Sequence, residues 1–303
     1  MKLSMQFRVK VYLTQRRALG YKLRNQGQRL TDFARYADSS GHRGPLTCEL
    51  ALRWASLSGD TPPACRAQRL ATVRVFAQHQ AGLERGTEIP PRHALGPTYG
   101  RRPPHLFTRP QLRLILRRTR RLRGQFRRCT YGTLLGLLAC TGLRISEALA
   151  LTTHDVDLRQ GVLLIHRSKG QHSRAVPLHR TALPPLRRYA RRRTHQFPAA
   201  GYFFVTERGE PLTYSAVSQT FLRLIEGITP TNQRPHVRLH DLRHTFACEV
   251  LRYWQRTRRG AAGRLPILTR YLGHTHFRET YWYLSAVPQL LNQAAVHFTP
   301  PSV

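Results

Sequence analysis

The stretch that decides the fold runs from His240 to Tyr283 and reads HDLRHTFACEVLRYWQRTRRGAAGRLPILTRYLGHTHFRETYWY. His240 and Arg243 stand three residues apart, so a helix places both on one face. His274 follows in the YLGH box, and Tyr283 lies nine residues beyond it. This set suits phosphodiester cleavage, because arginine can neutralise phosphate, histidine can move protons and tyrosine can attack.

Two upstream motifs add cationic residues. TGLRISEALAL supplies Arg144, and SKGQHSRAVPL supplies Lys169 between two predicted strands. Only four of the fifty basic residues are lysines, and Lys169 is the only lysine beyond residue 22. Arginine holds its proton firmly whereas an ammonium can release one, so Lys169 is a candidate general acid. The alternative is that Lys169 is a lysine by chance and has no catalytic role.

These boxes and their order resemble the tyrosine recombinase (phage integrase) family over about residues 108–290. The resemblance implies six catalytic residues, namely Arg144, Lys169, His240, Arg243, His274 and Tyr283. It implies that Tyr283 attacks the scissile phosphate to form a 3′-phosphotyrosyl link, while Lys169 protonates the leaving 5′ oxygen. His240 is then the base and His274 a donor to the phosphate. Tyr281 is the reserve candidate for the nucleophile, and His244 is interpreted as structural.

The charge balance indicates a nucleic-acid partner. Fifty basic residues against fifteen acidic ones give a net charge of +35, and counterion release from DNA would supply much of the affinity. Two alternatives stay open. One is a strand transferase like the type IB topoisomerases, and the other is a non-enzymatic basic DNA-binding protein. The integrase-like boxes and a small N-terminal domain favour a site-specific recombinase of the integrase or transposase type.

No metal or cofactor is expected. The spacing of His240 and His244 would suit helical metal ligands, with His274 and His276 nearby, but no H-E-x-x-H motif occurs and carboxylates are sparse. Five scattered cysteines predict reduced, mostly buried thiols in a cytoplasmic protein. No apolar run approaches the roughly 20 residues of a membrane-spanning helix, so no membrane role is expected.

The chain is predicted to be mainly α with a small β-hairpin, in two domains. Residues 1–87 form a helical core-binding (SAM-like) DNA-binding domain, with helices over about 7–37, 47–56 and 62–80. Residues 88–105, rich in proline and glycine, form a linker. Residues 106–303 form an α+β catalytic domain with a C-terminal tail.

The family resemblance also implies partners. These are double-stranded DNA recombination sites, three further copies of the chain in a tetramer on DNA, and an accessory recombinase or directionality factor. The expected location is the bacterial cytoplasm, in association with the nucleoid. The target sequence and the direction of the reaction do not follow from the residues.

Overall fold

The computed structural model describes residues 3–57, 61–98, 103–166, 173–229, 237–257, 261–276, 279–280 and 283. The chain divides into two compact units, Met1–Arg102 and Pro103–Val303. Both units are mostly helical, and the second also carries a small three-stranded antiparallel sheet. The predicted fold class, mainly α with a small sheet, is confirmed.

The first unit is built from four helices around its own apolar core. Phe33 and Phe76 are fully buried in that core, with Leu30 beside them. Ser4 and Thr47 cap helix starts, each accepting a hydrogen bond from the backbone three residues on. The helices are α1 (Met5–Ala18), α2 (Arg24–Ser39), α3 (Cys48–Ser56) and α4 (Pro63–Ala81).

The first predicted helix, about 7–37, is wrong in one respect, because the structure has two helices there. The chain turns between α1 and α2, where Gly20 has a φ of 87° and Leu23 a φ of 40°. Leu19, one of the apolar residues at helical spacing, lies in this turn and is 69% exposed. Val11 is also exposed, so an apolar pattern with helical spacing did not mark the buried face here.

The described part of the predicted linker, residues 88–98, has neither helix nor strand. It nevertheless packs on the first unit. The Glu88 N–H donates to the Leu46 carbonyl at 2.8 Å, and the Gln68 side chain donates to the Thr98 carbonyl at 3.2 Å. Residues 88–98 are therefore attached to α3 and α4 rather than forming a free tether. The predicted domain bounds stay predictions.

The second unit carries the remaining elements. Its helices and strands are α5 (Arg109–Thr119), α6 (Gln125–Thr141), α7 (Ile145–Ala150), β1 (Val156–Asp157), β2 (Val162–Ile165), β3 (Arg174–Pro177), a 3₁₀ helix (Arg180–Ala182), α8 (Leu183–Gln196), α9 (Tyr214–Leu224), α10 (His240–Arg256) and α11 (Ala261–Leu272). The strands pair in the order β1-β2-β3, and Ile165 pairs with Arg174 at the end of the β2–β3 hairpin next to its connecting loop. The hairpin tip with Lys169 lies outside the described residues.

The core of the second unit forms around α6. Four leucines of this helix are buried: Leu134, Leu135, Leu137 and Leu138. Thr108 caps α5 through Gln111 in a reciprocal capping box, as the sequence predicts. The burial of α6 places its C-terminal end, and the turn that follows, against α10 deep in the unit.

Helix α10 buries Ala247 and Leu251, whereas Phe246, Val250 and Trp254 are partly buried against the same cluster. Helix α11 is not predicted, because Pro266 lies inside it and lacks the N–H that a helix interior uses. Both helices form one apolar cluster that also contains Tyr283. None of the helices in the described part of the chain is long and apolar enough to cross a membrane.

The cysteine prediction is half right. All five cysteines are free thiols, but only Cys248 is buried, whereas Cys65 and Cys140 are exposed. The prediction of mostly buried thiols is therefore wrong. Burial raises the pKa of the Cys248 thiol to about 12, so this thiol is inert at neutral pH.

Candidate active site

The turn between α6 and α7 delivers Arg144 to the site. Gly142 ends α6 with a φ of 62°, a left-handed conformation that glycine adopts without strain. A Cβ at this position would lie 2.5 Å from Cδ1 of Phe246. Arg144 is then the N-cap of α7, where its backbone N–H donates to Oε2 of Glu147 at 3.1 Å. The TGLR box thus makes a tight turn that places Arg144 at the start of α7.

Glu147 is a buried carboxylate held between two arginines. It accepts hydrogen bonds from Nη1 of Arg144 at 3.0 Å and from both Nη atoms of Arg174, at 3.1 and 2.8 Å. Burial pushes the pKa of Glu147 upward, but the contact and charge of Arg174, followed by those of Arg144, hold this pKa below its usual value. The carboxylate is therefore ionised and orients both guanidinium groups.

Arg144 and Arg174 both donate hydrogen bonds to carbonyls at the end of α11 and in the turn that follows it. Nη1 of Arg144 donates to the Gly273 carbonyl at 2.9 Å, and Nε of Arg174 donates to the Tyr271 carbonyl at 2.9 Å. Gly273 has a φ of 68°, and a Cβ there would lie 2.5 Å from Nη1 of Arg174. Because this turn leads directly into His274, the contacts that hold the arginines also place that imidazole.

Arg243 connects the two turns from α10. Its side chain is almost completely buried, with Nη1 donating to the Gly142 carbonyl at 2.8 Å and Nη2 to the Leu272 carbonyl at 2.7 Å. Burial lowers the pKa of Arg243, while the neighbouring Tyr283 opposes that shift, and a guanidinium remains charged in either case. A buried cation thus lies where the α6–α7 turn meets the end of α11.

Tyr283 lies beside this cation and is 2% exposed. Its ring stacks on His274, with centroids 5.8 Å apart, and meets the His244 ring edge-on at 5.3 Å. Burial raises the pKa of the Tyr283 hydroxyl, whereas the charge and hydrogen bond of Arg243 pull it down. The hydroxyl is therefore protonated at neutral pH and hydrogen-bonds to a cation, and the phenol ring contacts two imidazoles.

The histidines of α10 are neutral at pH 7. Burial, followed by the charge of Arg243, lowers the pKa of His240 to about 4, although part of its ring stays exposed. Burial, followed by the charge of His240, lowers the pKa of His244 to about 3. The two rings lie 4.7 Å apart at nearly right angles. Both imidazoles are therefore able to accept a proton, and His244, interpreted from sequence as structural, lies beside Tyr283.

His274 is held by two threonines. Its Nδ1 lies 2.8 Å from Oγ1 of Thr280, which in turn lies 2.9 Å from Oγ1 of Thr269 in α11. Burial, followed by the charges of Arg243 and Arg144, lowers the pKa of His274 to about 3. The imidazole therefore reaches the site neutral and with a fixed ring plane.

The structure brings together five of the six residues predicted as catalytic: Arg144, His240, Arg243, His274 and Tyr283. Lys169 and the reserve nucleophile Tyr281 lie outside the described residues. Among the described residues, no three His, Cys, Asp or Glu side chains lie close enough together to hold a metal ion. The alternative histidine ligand set is thus not assembled in that part of the chain.

The sequence analysis missed Arg174 and Thr280. Arg174 is one of many arginines, and its sequence signal is only a position at the start of the RAVPL strand after the Lys169 loop. Thr280 precedes Tyr283 by three residues and carries no chemical signal of its own. Both are recognisable only once the fold brings β3 and α11 to the α6–α7 turn.

Comparison with known proteins agrees with this geometry. The sequence model of the phage integrase family matches residues 107–289. A Sinorhizobium fredii chain named as an integrase/recombinase, y4rB, is 36% identical over 298 residues, covering 94% of each chain. The tyrosine recombinase XerC of Bacillus subtilis is 31% identical over 172 residues, covering 55% of this chain and 53% of its own.

Solved structures match the fold. The Tn1549 transposon integrase, in complex with transposon right end DNA, superposes with a TM-score of 0.70 at 17% identity, covering 99% of this chain and 100% of its own. The fold and the site thus define a tyrosine-type DNA strand transferase. The chain belongs to the phage integrase family, and its activity is site-specific DNA recombination.

Proposed function

We propose that this chain cleaves and rejoins DNA through a 3′-phosphotyrosyl intermediate formed on Tyr283. The observation that carries the proposal is the buried Tyr283, whose hydroxyl hydrogen-bonds to Arg243 and whose ring is flanked by two neutral imidazoles. Tyrosine is a weak nucleophile at neutral pH, with a reference pKa of about 10, so it needs a base and a neutralised phosphate. Both kinds of group lie around it.

The arginines divide the work of phosphate binding. Arg144 and Arg243 come from different elements yet meet at the same turn after α11, through the Gly273 and Leu272 carbonyls. We propose that a scissile phosphate lies between these two guanidinium groups, which neutralise its charge as the pentavalent state forms. Fixed cations of this kind take the role that a metal ion has in other nucleases, so we propose a reaction independent of metal and of ATP.

The proton transfers are assigned to three residues. His240 is proposed as the base that receives the Tyr283 proton, because its lowered pKa keeps it neutral and part of its ring is exposed. Lys169 is proposed as the acid that protonates the leaving 5′ oxygen. The 5′-hydroxyl of a partner strand then attacks the phosphotyrosyl bond and releases Tyr283. One ester replaces another at each step, so bond energy is conserved.

His274 is proposed to donate a hydrogen bond to a phosphate oxygen. A neutral imidazole carries one N–H, so His274 can donate from Nε2 only when its Nδ1 is an acceptor. Thr280 can donate to Nδ1 in that tautomer only if Thr269 donates to Thr280 instead of to the Leu265 carbonyl, which lies 2.8 Å from Oγ1 of Thr269. We propose that the threonine hydroxyls reorient in this way when a phosphate accepts from Nε2 of His274.

The remaining assignments concern partners. We propose that the first unit is the core-binding domain, since its four helices carry ten arginines, none of them buried, and the chain has a net charge of +35. We propose that the protein works as a tetramer on two double-stranded DNA sites in the cytoplasm at the nucleoid, with an accessory recombinase or directionality factor as a further partner.

Covalent capture tests this function. The full chain is incubated with random-sequence duplexes and with genomic DNA that flanks its gene, then denatured, and DNA attached to protein is sequenced. Site-specific recombination predicts one recurring sequence and strands joined between two duplexes. Adducts without a recurring sequence, together with relaxation of supercoiled DNA, would favour a topoisomerase-like activity. Tight binding without any adduct would leave only a DNA-binding protein.

A further inference from the structure

The Arg174 side chain, on β3, contacts two other parts of the site, Glu147 in α7 and the turn after α11. Both of its Nη atoms hold the Glu147 carboxylate, at 3.1 and 2.8 Å, and its Nε donates to the Tyr271 carbonyl at 2.9 Å. The Gly273 Cα lies so close that a Cβ there would meet Nη1 of Arg174 at 2.5 Å. One side chain from the sheet therefore joins α7 to the turn after α11.

The carboxylate of Glu147 is shared unequally. Arg174 occupies both of its oxygens, whereas Arg144 makes one side-chain contact with it, through Nη1 at 3.0 Å. A carboxylate pairs best with one guanidinium in a bidentate geometry. Without Arg174, Glu147 would be free to form that pair with Arg144, which would neutralise Arg144 and turn it away from a phosphate.

Arg174 is itself poorly placed to bind DNA. Its side chain is 9% exposed, and both of its Nη atoms pair with the Glu147 carboxylate, which already neutralises its charge. The buried Arg243 differs, because its Nη atoms donate to the uncharged carbonyls of Gly142 and Leu272. Arg144 is less buried, with 18% of its side chain exposed, and its Nη2 faces Glu279 only at 3.9 Å. Arg174 is thus placed to orient its neighbours, whereas Arg144 is placed to contact a phosphate.

We propose that Arg174 is a positioning residue for strand cleavage. It engages Glu147 so that Arg144 remains available to the scissile phosphate, and it holds the Tyr271–Gly273 turn that presents His274. This inference rests on the proposed function, because it assigns Arg174 to the same site. It adds a residue from β3, next to the Lys169 loop, that acts without touching the DNA.

The effect should appear in the chemical step. A misplacement of about 1 Å at a reacting centre costs about 10²-fold in rate. Arg174→Gln should therefore slow single-turnover cleavage by about 10- to 100-fold. The DNA concentration at half-saturation should change by less than about threefold, because one charge in a net +35 contributes little to affinity.

The test uses the full chain and a nicked duplex that carries the sequence recovered by covalent capture. Arg193→Gln is the matched control, since Arg193 is also a buried arginine that donates to a carbonyl, that of Tyr202 at 2.9 Å in the second unit. Thermal melts establish that each variant is folded. The control should lose stability but cleave at the wild-type rate, whereas Arg174→Gln should lose rate.

A double-mutant cycle identifies the route of the effect. If Arg174 acts through Glu147, the Arg174→Gln/Glu147→Gln double variant should be no slower than the slower single variant. Rate losses that multiply would mean that Arg174 does not act through Glu147. They would overturn that part of the proposal and leave only its contact with the Tyr271–Gly273 turn. If Arg174→Gln does not fold, Arg174→Lys replaces it. A folded Arg174→Lys that cleaves at the wild-type rate would also overturn the proposal, because a point charge at this position would then be enough.

The outcomes separate this proposal from the proposed function. A wild-type chain that forms no covalent adduct contradicts the function itself, whatever the variants do. A wild-type chain that forms the adduct, beside a folded Arg174→Gln that forms it equally fast, contradicts only the positioning role.

Discussion

Arg243 and Tyr283 are hydrogen-bonded to each other where both side chains are almost completely buried. The pair joins the proposed nucleophile to a proposed phosphate-binding cation. Burial alone raises the pKa of Tyr283, and the charge of Arg243 counteracts that shift. When DNA binds, Arg243 would exchange its tyrosine contact for a phosphate contact. The same residue would thus hold the nucleophile before the reaction and stabilise the charge during it.

Lys169→Arg tests whether the lysine is an acid or only a charge. The substitution keeps the charge, so DNA affinity should hardly change. It removes a proton that can be released, so cleavage should slow by roughly 10²–10⁴-fold, as for the loss of a general acid. Single-turnover cleavage of the captured site measures the rate.

A substrate with a 5′-bridging sulfur at the scissile phosphate provides the control for Lys169, because its leaving group needs no protonation. It should restore most of the rate in Lys169→Arg but not in Arg144→Ala, whose defect is phosphate stabilisation. Cleavage of the ordinary substrate at the wild-type rate by Lys169→Arg would make the single lysine a compositional accident and direct the search for the acid to His240 and His274.

The histidines of the site should make the protein acid-sensitive. The folded chain lowers the pKa of His240 from 6.5 to about 4, and that of His274 from 6.5 to about 3. Below pH 6.5 and above these lowered pKa values, the histidines bind protons in the unfolded chain but not in the folded chain. The free energy of unfolding should therefore fall as the pH falls below 6.5. Urea unfolding from pH 7.5 to 4.5 measures this slope.

Variants show which histidines cause the pH dependence. His274→Asn should make stability less dependent on pH over the same range. His154→Asn, which changes an exposed histidine outside the site, should leave the slope as it is in the wild type. An unchanged slope in His274→Asn would contradict the conclusion that this imidazole is held neutral.

The sequence indicated residues that the fold brings together, but not the packing that holds them. The spacing of His240 and Arg243 on one helix, and the glycine that turns α6 into α7, are local features that backbone geometry dictates. Arg174 was not recognised because its acceptors, Glu147 and the Tyr271 carbonyl, are 27 and 97 residues away. Contacts over such separations depend on the assembled core and leave no local pattern.

Gly273→Ala should disturb the site through a backbone change. An alanine at a φ of 68° is strained by about 1–2 kcal/mol, and its Cβ would collide with Arg174. Gly227→Ala measures the backbone strain alone, because Gly227 has a φ of 70° but a Cβ there would have no neighbour within 4 Å. Gly273→Ala should lower the free energy of unfolding more than Gly227→Ala and should slow cleavage. Equal losses of stability with no loss of rate would contradict the packing of Arg174 on this turn.

Removal of divalent metal should leave cleavage intact. Side-chain cations, Arg144 and Arg243 above all, are proposed to stabilise the phosphate, so excess chelator should not reduce the rate of adduct formation. Loss of cleavage with chelator, and its recovery on addition of a divalent ion, would contradict this chemistry and return attention to the histidines.

The covalent link itself is the most direct measurement. A nicked duplex with the captured site, in which the short cleaved strand diffuses away, is incubated with wild type, Tyr283→Phe and Tyr281→Phe, and the denatured adducts are digested and mapped by mass spectrometry. Wild type and Tyr281→Phe should carry DNA on Tyr283, whereas Tyr283→Phe should bind the duplex and form no adduct. An adduct that persists in Tyr283→Phe and disappears in Tyr281→Phe would contradict the assignment and move the nucleophile to Tyr281.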